Sequence, residues 1–224
     1  MNSALIRLLR NNNYVTLLQR NLPRAFEVAD AEARRVHQRK GSRTYEAPGQ
    51  EVGVVRERIL IAYLRHILGD MHVELPRANT AMRDVLIFGE PLEIKTVTKN
   101  GKVKVKWTAD AESVQRDLVD FEFTADLLLV RIWWGIKKDS IFYIPLDVLQ
   151  EIANCLDPAD YLSSATGTNN RGIDIKPAFL DSAQQHQNTI RIPIEWEERD
   201  IRIDPMARWM AYWTDRRDRD PLYE

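Results

Sequence analysis

The chain has 224 residues, 44% of them hydrophobic, enough for one substantial core, and a formal net charge of −1 from 32 lysines and arginines against 33 acids. That balance argues against a protein that coats nucleic acid regardless of sequence, and a single cysteine, Cys155, excludes an intramolecular disulfide or thiolate zinc cluster and reads as a small buried hydrophobe. No apolar run approaches the roughly 18–20 residues of a membrane span, and the first ten residues lack the unbroken apolar stretch of a signal peptide, so the expectation is a cytoplasmic protein with no membrane partner.

Leu5, Leu8, Leu9, Val15, Leu17 and Leu18 recur at helical spacing, predicting one or two helices over residues 3–20. Asn11, Asn12 and Asn13 mark a break, and the helices would pack on a neighbour or a second subunit. Leu22-Pro23 predicts an interruption, after which residues 25–40 read as helix again. Residues 31–46 carry Arg34, Arg35, Arg39, Lys40 and Arg43 against Glu32 and Glu46. This is either a helix with a solvated basic end or an arm that contacts phosphates through Arg39, Lys40 and Arg43. Gly41 to Gly53 reads as a loop, and Val54 to Leu68 as a strong helix ended by Gly69. Glu57 lies in the first two turns of that helix, either facing solvent or serving as a third acid at the site described next.

The apolar runs Asp84-Val-Leu-Ile-Phe and Leu92-Glu-Ile-Lys-Thr-Val flank a turn signal at Gly89-Glu90. A two-residue loop there sets Phe88 opposite Pro91, Leu86 opposite Glu93 and Asp84 opposite Lys95. Side chains alternate with period 2, so Asp84, Glu93 and Lys95 share one face, the two acids diagonal and roughly 7–8 Å apart at the backbone. Two carboxylates converging on a hard divalent cation, with an ammonium beside them, suit phosphodiester hydrolysis. A second turn, Asn100-Gly101, would bring Lys102-Val-Lys-Val-Lys-Trp107 back antiparallel, with Lys99 opposite Lys102 and Lys95 opposite Lys106. Lys99, Lys102, Lys104 and Lys106 then meet no acid on the strands, and like charges face one another, so an anion is expected over this face.

Asp110 is read as the cap of an amphipathic helix reaching Phe121. Ala125 to Trp134 is a nearly continuous apolar strand, the mark of burial on both faces. Ser140 to Pro145 is a further strand, and Leu146 to Leu156 a helix.

The resulting order, helix, three-strand meander, helix, buried strand, with Asp84 on the first strand and Glu93-Ile-Lys95 on the second, resembles the PD-(D/E)XK nuclease superfamily, and within it the type II restriction endonucleases. The resemblance covers residues 53–134 best; Arg83 stands where the family pattern has proline, and the carboxylate chemistry is unaffected. It implies an α/β (α+β) fold with an αβββαβ core, a mixed central sheet flanked by helices, and embellishments at both ends. The regions are 1–50 (helical), 53–156 (catalytic core) and 157–224 (recognition and dimerisation), all in one domain. It also implies a Mg²⁺-dependent nuclease, Mn²⁺ substituting, in which Asp84 and Glu93 hold the metal, Lys95 orients or activates water and Glu57 is an accessory acid. The implied partners are double-stranded DNA, a second copy of the chain in a homodimer, and a cognate DNA methyltransferase of the same system that is not physically bound.

Residues 160–200 are expected outside the core. Arg pairs bidentately with guanine and Asn or Gln with adenine, so Asn169, Asn170 and Arg171 in one polar loop, and Gln185 and Gln187 in another, are candidate base readers, the alternative being ordinary turn residues. Ile173 to Lys176 begins a helix or strand, Thr189 to Trp196 is a strand, and the aromatic tail from Ala207 is assigned to packing or dimerisation. Two other functions fit the same residues: a structure-selective repair or recombination nuclease, and a non-catalytic DNA-binding module, against which the intact Asp84, Glu93 and Lys95 set counts.

Overall fold

The structure, a computed structural model, describes residues 3–36, 50–76, 83–106, 111–133, 139–164 and 172–195. It opens with helices α1 (Ser3–Leu9), α2 (Asn12–Val36) and α3 (Gln50–Leu68), followed by strands β1 (Val73–Glu74), β2 (Val85–Ile87), β3 (Glu90–Thr98) and β4 (Val103–Lys106). Then come α4 (Ala111–Val119), β5 (Asp126–Ile132), β6 (Ser140–Ile144), α5 (Leu146–Ala153), α6 (Pro158–Tyr161), β7 (Leu162–Ser164), β8 (Ile173–Ile175), α7 (Pro177–Gln185) and β9 (Ile190–Pro193). Among the described residues, no helix is long and apolar enough to cross a membrane.

Six strands form a mixed central sheet in the order β1-β2-β3-β5-β6-β9, and β4, β8 and β7 make a second sheet. All of β5 is buried, as its unbroken apolar run requires, because both of its faces are covered. It pairs parallel with β3 from Leu92 to Thr98 and antiparallel with β6. On one face of the sheet, Leu5, Phe26, Leu60 and Leu64 from α1, α2 and α3 pack against Val85, Ile94, Leu128 and Tyr143. On the other face, Val97, Leu129 and Phe142 meet Val103, Val105, Phe123, Ile175 and Leu180. The α/β class with a mixed sheet flanked by helices is therefore as expected.

Several local expectations are corrected. Pro23 lies inside α2, where it removes one backbone hydrogen bond at a cost of about 3 kcal/mol. Leu18, Leu22 and Phe26, buried along the same face, offset that loss at roughly 1.5–3 kcal/mol each. Helix α3 begins at Gln50, so Gly53 is helical and not part of a loop. Strand β9 is not outside the core: it closes the central sheet against β6. Cys155 is exposed, because it falls on the turn beyond the end of α5, after the inward-facing Val148 and Leu149. The basic arm with Arg39, Lys40 and Arg43, the loop with Asn169, Asn170 and Arg171, the Asp110 cap and the aromatic tail lie outside the described residues.

The largest correction concerns β4. It does not return along β3 but pairs antiparallel with β8, where Lys104 stands opposite Asp174. A local meander would have stacked lysine against lysine, which is unfavourable; the second sheet sets lysine against acid and turns Val103 and Val105 into the second core. Arg131 pins the departure point. It donates to Lys99 O at 3.1 Å and to Asn100 Oδ1 at 3.4 Å in the turn after β3, and to Gln184 at 3.1 Å and Asp181 on α7.

Helices α2 and α3 are joined by a buried ion pair, with Arg56 donating to Asp30 Oδ1 from Nε at 2.9 Å and from Nη2 at 2.5 Å. Breaking a buried pair leaves one charge without its partner. Arg56→Met should therefore lower unfolding stability by about 3–5 kcal/mol, and Asp30→Leu combined with Arg56→Met should recover most of that loss. Urea unfolding curves for the three proteins test this; equal losses in single and double variants would remove the pairing from the account.

Candidate active site

Phe88 (φ 52°) and Gly89 (φ 81°) both occupy the left-handed region, so a type I′ turn closes the hairpin with Ile87 opposite Glu90. A phenylalanine there is strained, and its ring stacks on His72 with centroids 4.4 Å apart. The turn therefore sits one residue earlier than expected, which shifts the pairing by two. Leu86 faces Pro91 and Val85 faces Leu92, where the pairing ends; Asp84 N–H also donates to Leu92 O at 3.2 Å, so Asp84 lies beside Leu92 and Glu93 and not opposite Lys95. A shift of two keeps every side chain on its face, so Asp84, Glu93 and Lys95 still share one surface.

In a regular ladder of this register, Ile94 N–H would bond to Arg83 O. It instead donates to Asp84 Oδ2 at 2.8 Å, and the same oxygen accepts from Lys95 Nζ at 2.9 Å. Lys95 Nζ also lies 2.7 Å from Glu93 Oε1 and 3.8 Å from Glu57 Oε1 on α3. Helix α3 packs on β3 through Leu60 and Leu64, and that packing brings Glu57 over the hairpin. Three acids, from the start of β2, from β3 and from α3, thus converge on one ammonium.

Burial pushes the Glu57 and Glu93 carboxyls up to about 7; Lys95 pulls both down and Asp84 pushes both up. Burial alone would lower Lys95, but the charges of Glu93, Asp84 and Glu57 outweigh it and hold the ammonium above the ordinary lysine range. Lys95 is therefore a fixed positive charge.

The residues fit a hard cation in a specific way. Glu93 is 3% exposed, and its Oε2 is buried with no hydrogen-bond partner among the described residues. A carboxylate oxygen in that position costs free energy until a cation or donor reaches it. Among the described residues, no three acidic, histidine or cysteine side chains form a ready ligand cage. The protein would thus offer the pair Asp84 and Glu93, leaving further positions to water and phosphate oxygens, as Mg²⁺ prefers.

The remaining expected residues do not join this cluster. Lys106 pairs with Asp117 at 3.0 Å and Lys102 donates to Ser163 Oγ at 3.1 Å. The Asp174 carboxyl is raised by burial, against which Lys104 and Lys102 pull it down. The anions expected over the lysines are thus partly the protein's own. Lys99 is exposed beside the pinned turn. Gln185 and Gln187 are exposed before β9, three strands across the sheet from β3. Arg58 and Arg65, on α3 beside Glu57, were not singled out by the sequence reading; their spacing of seven on one helix face was the available signal.

The fold that carries this site is shared with a known structure. A solved structure described as a restriction endonuclease in complex with substrate DNA superposes with a TM-score of 0.81 at 32% sequence identity, covering 95% of this chain and 100% of that chain. Fold and site together define a nuclease of the restriction endonuclease class. The family model described as restriction endonuclease ThaI matches residues 8–215, and the chain belongs to that family. No curated protein matches the chain.

The raised carboxyls carry a sign that can be measured. Carboxyls lifted from 4.5 to about 7 on folding stabilise the metal-free protein below pH 4.5, and that contribution is lost as pH rises through about 7. In EDTA, Glu57→Gln should therefore gain stability relative to wild type between about pH 5 and 8. Urea unfolding across that range reads the difference; a constant difference would mean that Glu57 does not titrate as described.

Proposed function

We propose that the chain is a type II restriction endonuclease of the PD-(D/E)XK kind that hydrolyses double-stranded DNA at a specific sequence, using Mg²⁺ or, as a substitute, Mn²⁺. The observation that carries this reading is the convergence of Asp84, Glu93 and Glu57 on Lys95, with one oxygen of Glu93 buried and unsatisfied. A divalent cation held by Asp84 and Glu93 supplies a lower pKa for an attacking water and offsets charge on the scissile phosphate. Lys95 keeps its proton and orients that water or the phosphate by donating hydrogen bonds. Glu57 holds Lys95 from the helix side, so that the ammonium stays aimed when the hairpin acids turn to other partners.

DNA as substrate draws support from the similar structure with its substrate DNA and from the family. Lys99 and Lys102, exposed at the end of β3 and the start of β4, are assigned to backbone phosphates, with weaker roles for the paired Lys104 and Lys106. Base reading is assigned to Gln185, Gln187, Asn169, Asn170 and Arg171, and further phosphate contacts to Arg39, Lys40 and Arg43. A homodimer would match a palindromic site and cut both strands, and a methyltransferase of the same specificity would protect the host's own sites.

Incubation with plasmid DNA and Mg²⁺ should give discrete fragments, with none in EDTA. Ca²⁺, with looser oxygen coordination, should support binding without turnover. Lys95→Ala should lose at least about a hundredfold in cleavage rate while still retarding the same DNA. Wild-type cutting by Lys95→Ala, or cutting in EDTA, would overturn the assignment.

A further inference from the structure

We propose that the cleft beside the catalytic cluster binds the sugar-phosphate backbone of the cut strand, with Arg58 and Arg65 each holding a phosphate next to the scissile one. The cleft encloses about 400 Å³ between α3 and the β1–β2 edge, with Glu57 and Asp84 among its lining residues. Anything held along it therefore reaches the catalytic acids. The proposal rests on the endonuclease reading and extends it to residues that take no part in the cluster around Lys95.

The two arginines differ from the cations that tie elements of this fold together. Arg56, Lys95, Lys106 and Arg131 each pair closely with a carboxylate. Arg58 is exposed and has no ion pair among the described residues. Arg65 Nε is buried without a hydrogen bond, and its one acid, the 84% exposed Asp70, stands 3.8 Å away. An exposed pair of that length contributes little, so among the described residues neither guanidinium has a strong anionic partner. The ligand they suit is anionic and offers paired oxygens, as phosphate does.

Spacing and lining narrow the choice. Seven helical residues separate the two by roughly 10 Å along the axis, too far to share one phosphate. Val54, Ile61 and Leu75 line the cleft with them, and Val54 and Leu75 are 46% and 57% exposed. Alternating charge and apolar surface is the pattern of a strand backbone, phosphates on the arginines and sugars on the aliphatic side chains. Glu57 and Asp84 do not oppose this, since both are turned to Lys95.

The test is DNA binding in Ca²⁺ across a salt series, on the duplex that the wild type is found to cut. Arg58→Gln and Arg65→Gln should each weaken binding roughly tenfold and lower the slope of log affinity against log salt by about one, and the double variant by about two. Lysine at either position should restore the slope but not the full affinity. Neutral methylphosphonates at the phosphates flanking the cut should weaken wild-type binding and leave the double variant indifferent at those positions. Arg58→Gln alters an exposed side chain, so it carries the test even if Arg65→Gln lowers the melting temperature. An unchanged slope, or a double variant as sensitive to the methylphosphonates as wild type, would overturn the cleft while leaving the nuclease reading intact. Wild-type protein that cuts no duplex would overturn the nuclease reading, and the variants' salt slopes on any duplex it binds would still decide the cleft.

Discussion

One largely enclosed ammonium holds the working end of this molecule together. Lys95 lies among three carboxylates contributed by two strands and a helix, and without it those acids would repel one another at close range. The strand pair β2–β3 and the helix α3 are tied at this point by charge as well as by the apolar contacts of Leu60 and Leu64. The arrangement is strained in an electrostatic sense: two carboxyls are lifted toward neutrality by burial, and one oxygen of Glu93 is left unsatisfied. A site of this kind gives up stability in the free protein and recovers it when the correct charge arrives.

Much of the site was legible because sheet chemistry has a parity. The turn was expected at Gly89-Glu90 and lies at Phe88-Gly89, yet Asp84, Glu93 and Lys95 remained together, since the pairing moved by two residues and two is the period of the strand. A shift of one would have scattered them. Sequence rules could not find the true turn, because a phenylalanine at positive φ is held by a ring contact with His72, and that neighbour comes from the short 3-10 turn before β1. The buried strand β5, the helix ending at Gly69 and the break before α2 were read correctly from patterns that depend only on local periodicity.

The second sheet was beyond such rules. Asn100-Gly101 and an alternating strand are strong local signals for a hairpin, but the partner that β4 chooses is fixed by Asp174, seventy residues later in the chain. Long-range charge pairing overrode the turn signal, and it carried the alternating valines into a separate core. Pro23 illustrates the same competition inside a helix, where burial outweighed a missing hydrogen bond. The exposed Cys155 is the converse, a side chain whose apolar character the fold did not use.

The short pairing between β2 and β3 has a consequence for how such a centre can be altered. Past Val85 and Leu92 the ladder stops, and the carboxylate of Asp84 takes the amide of Ile94 that a neighbouring backbone carbonyl would otherwise claim. The chemistry therefore occupies an unfinished seam of sheet. Drift in sequence that lengthened β2 by a pair of residues would make a more regular protein and hand that amide to the backbone, freeing the aspartate to swing away. Pressure for a better-zipped hairpin and pressure for a working acid pull in opposite directions at this position, and evolvability here is bounded by the irregularity of the strand end and not only by the identity of its acids.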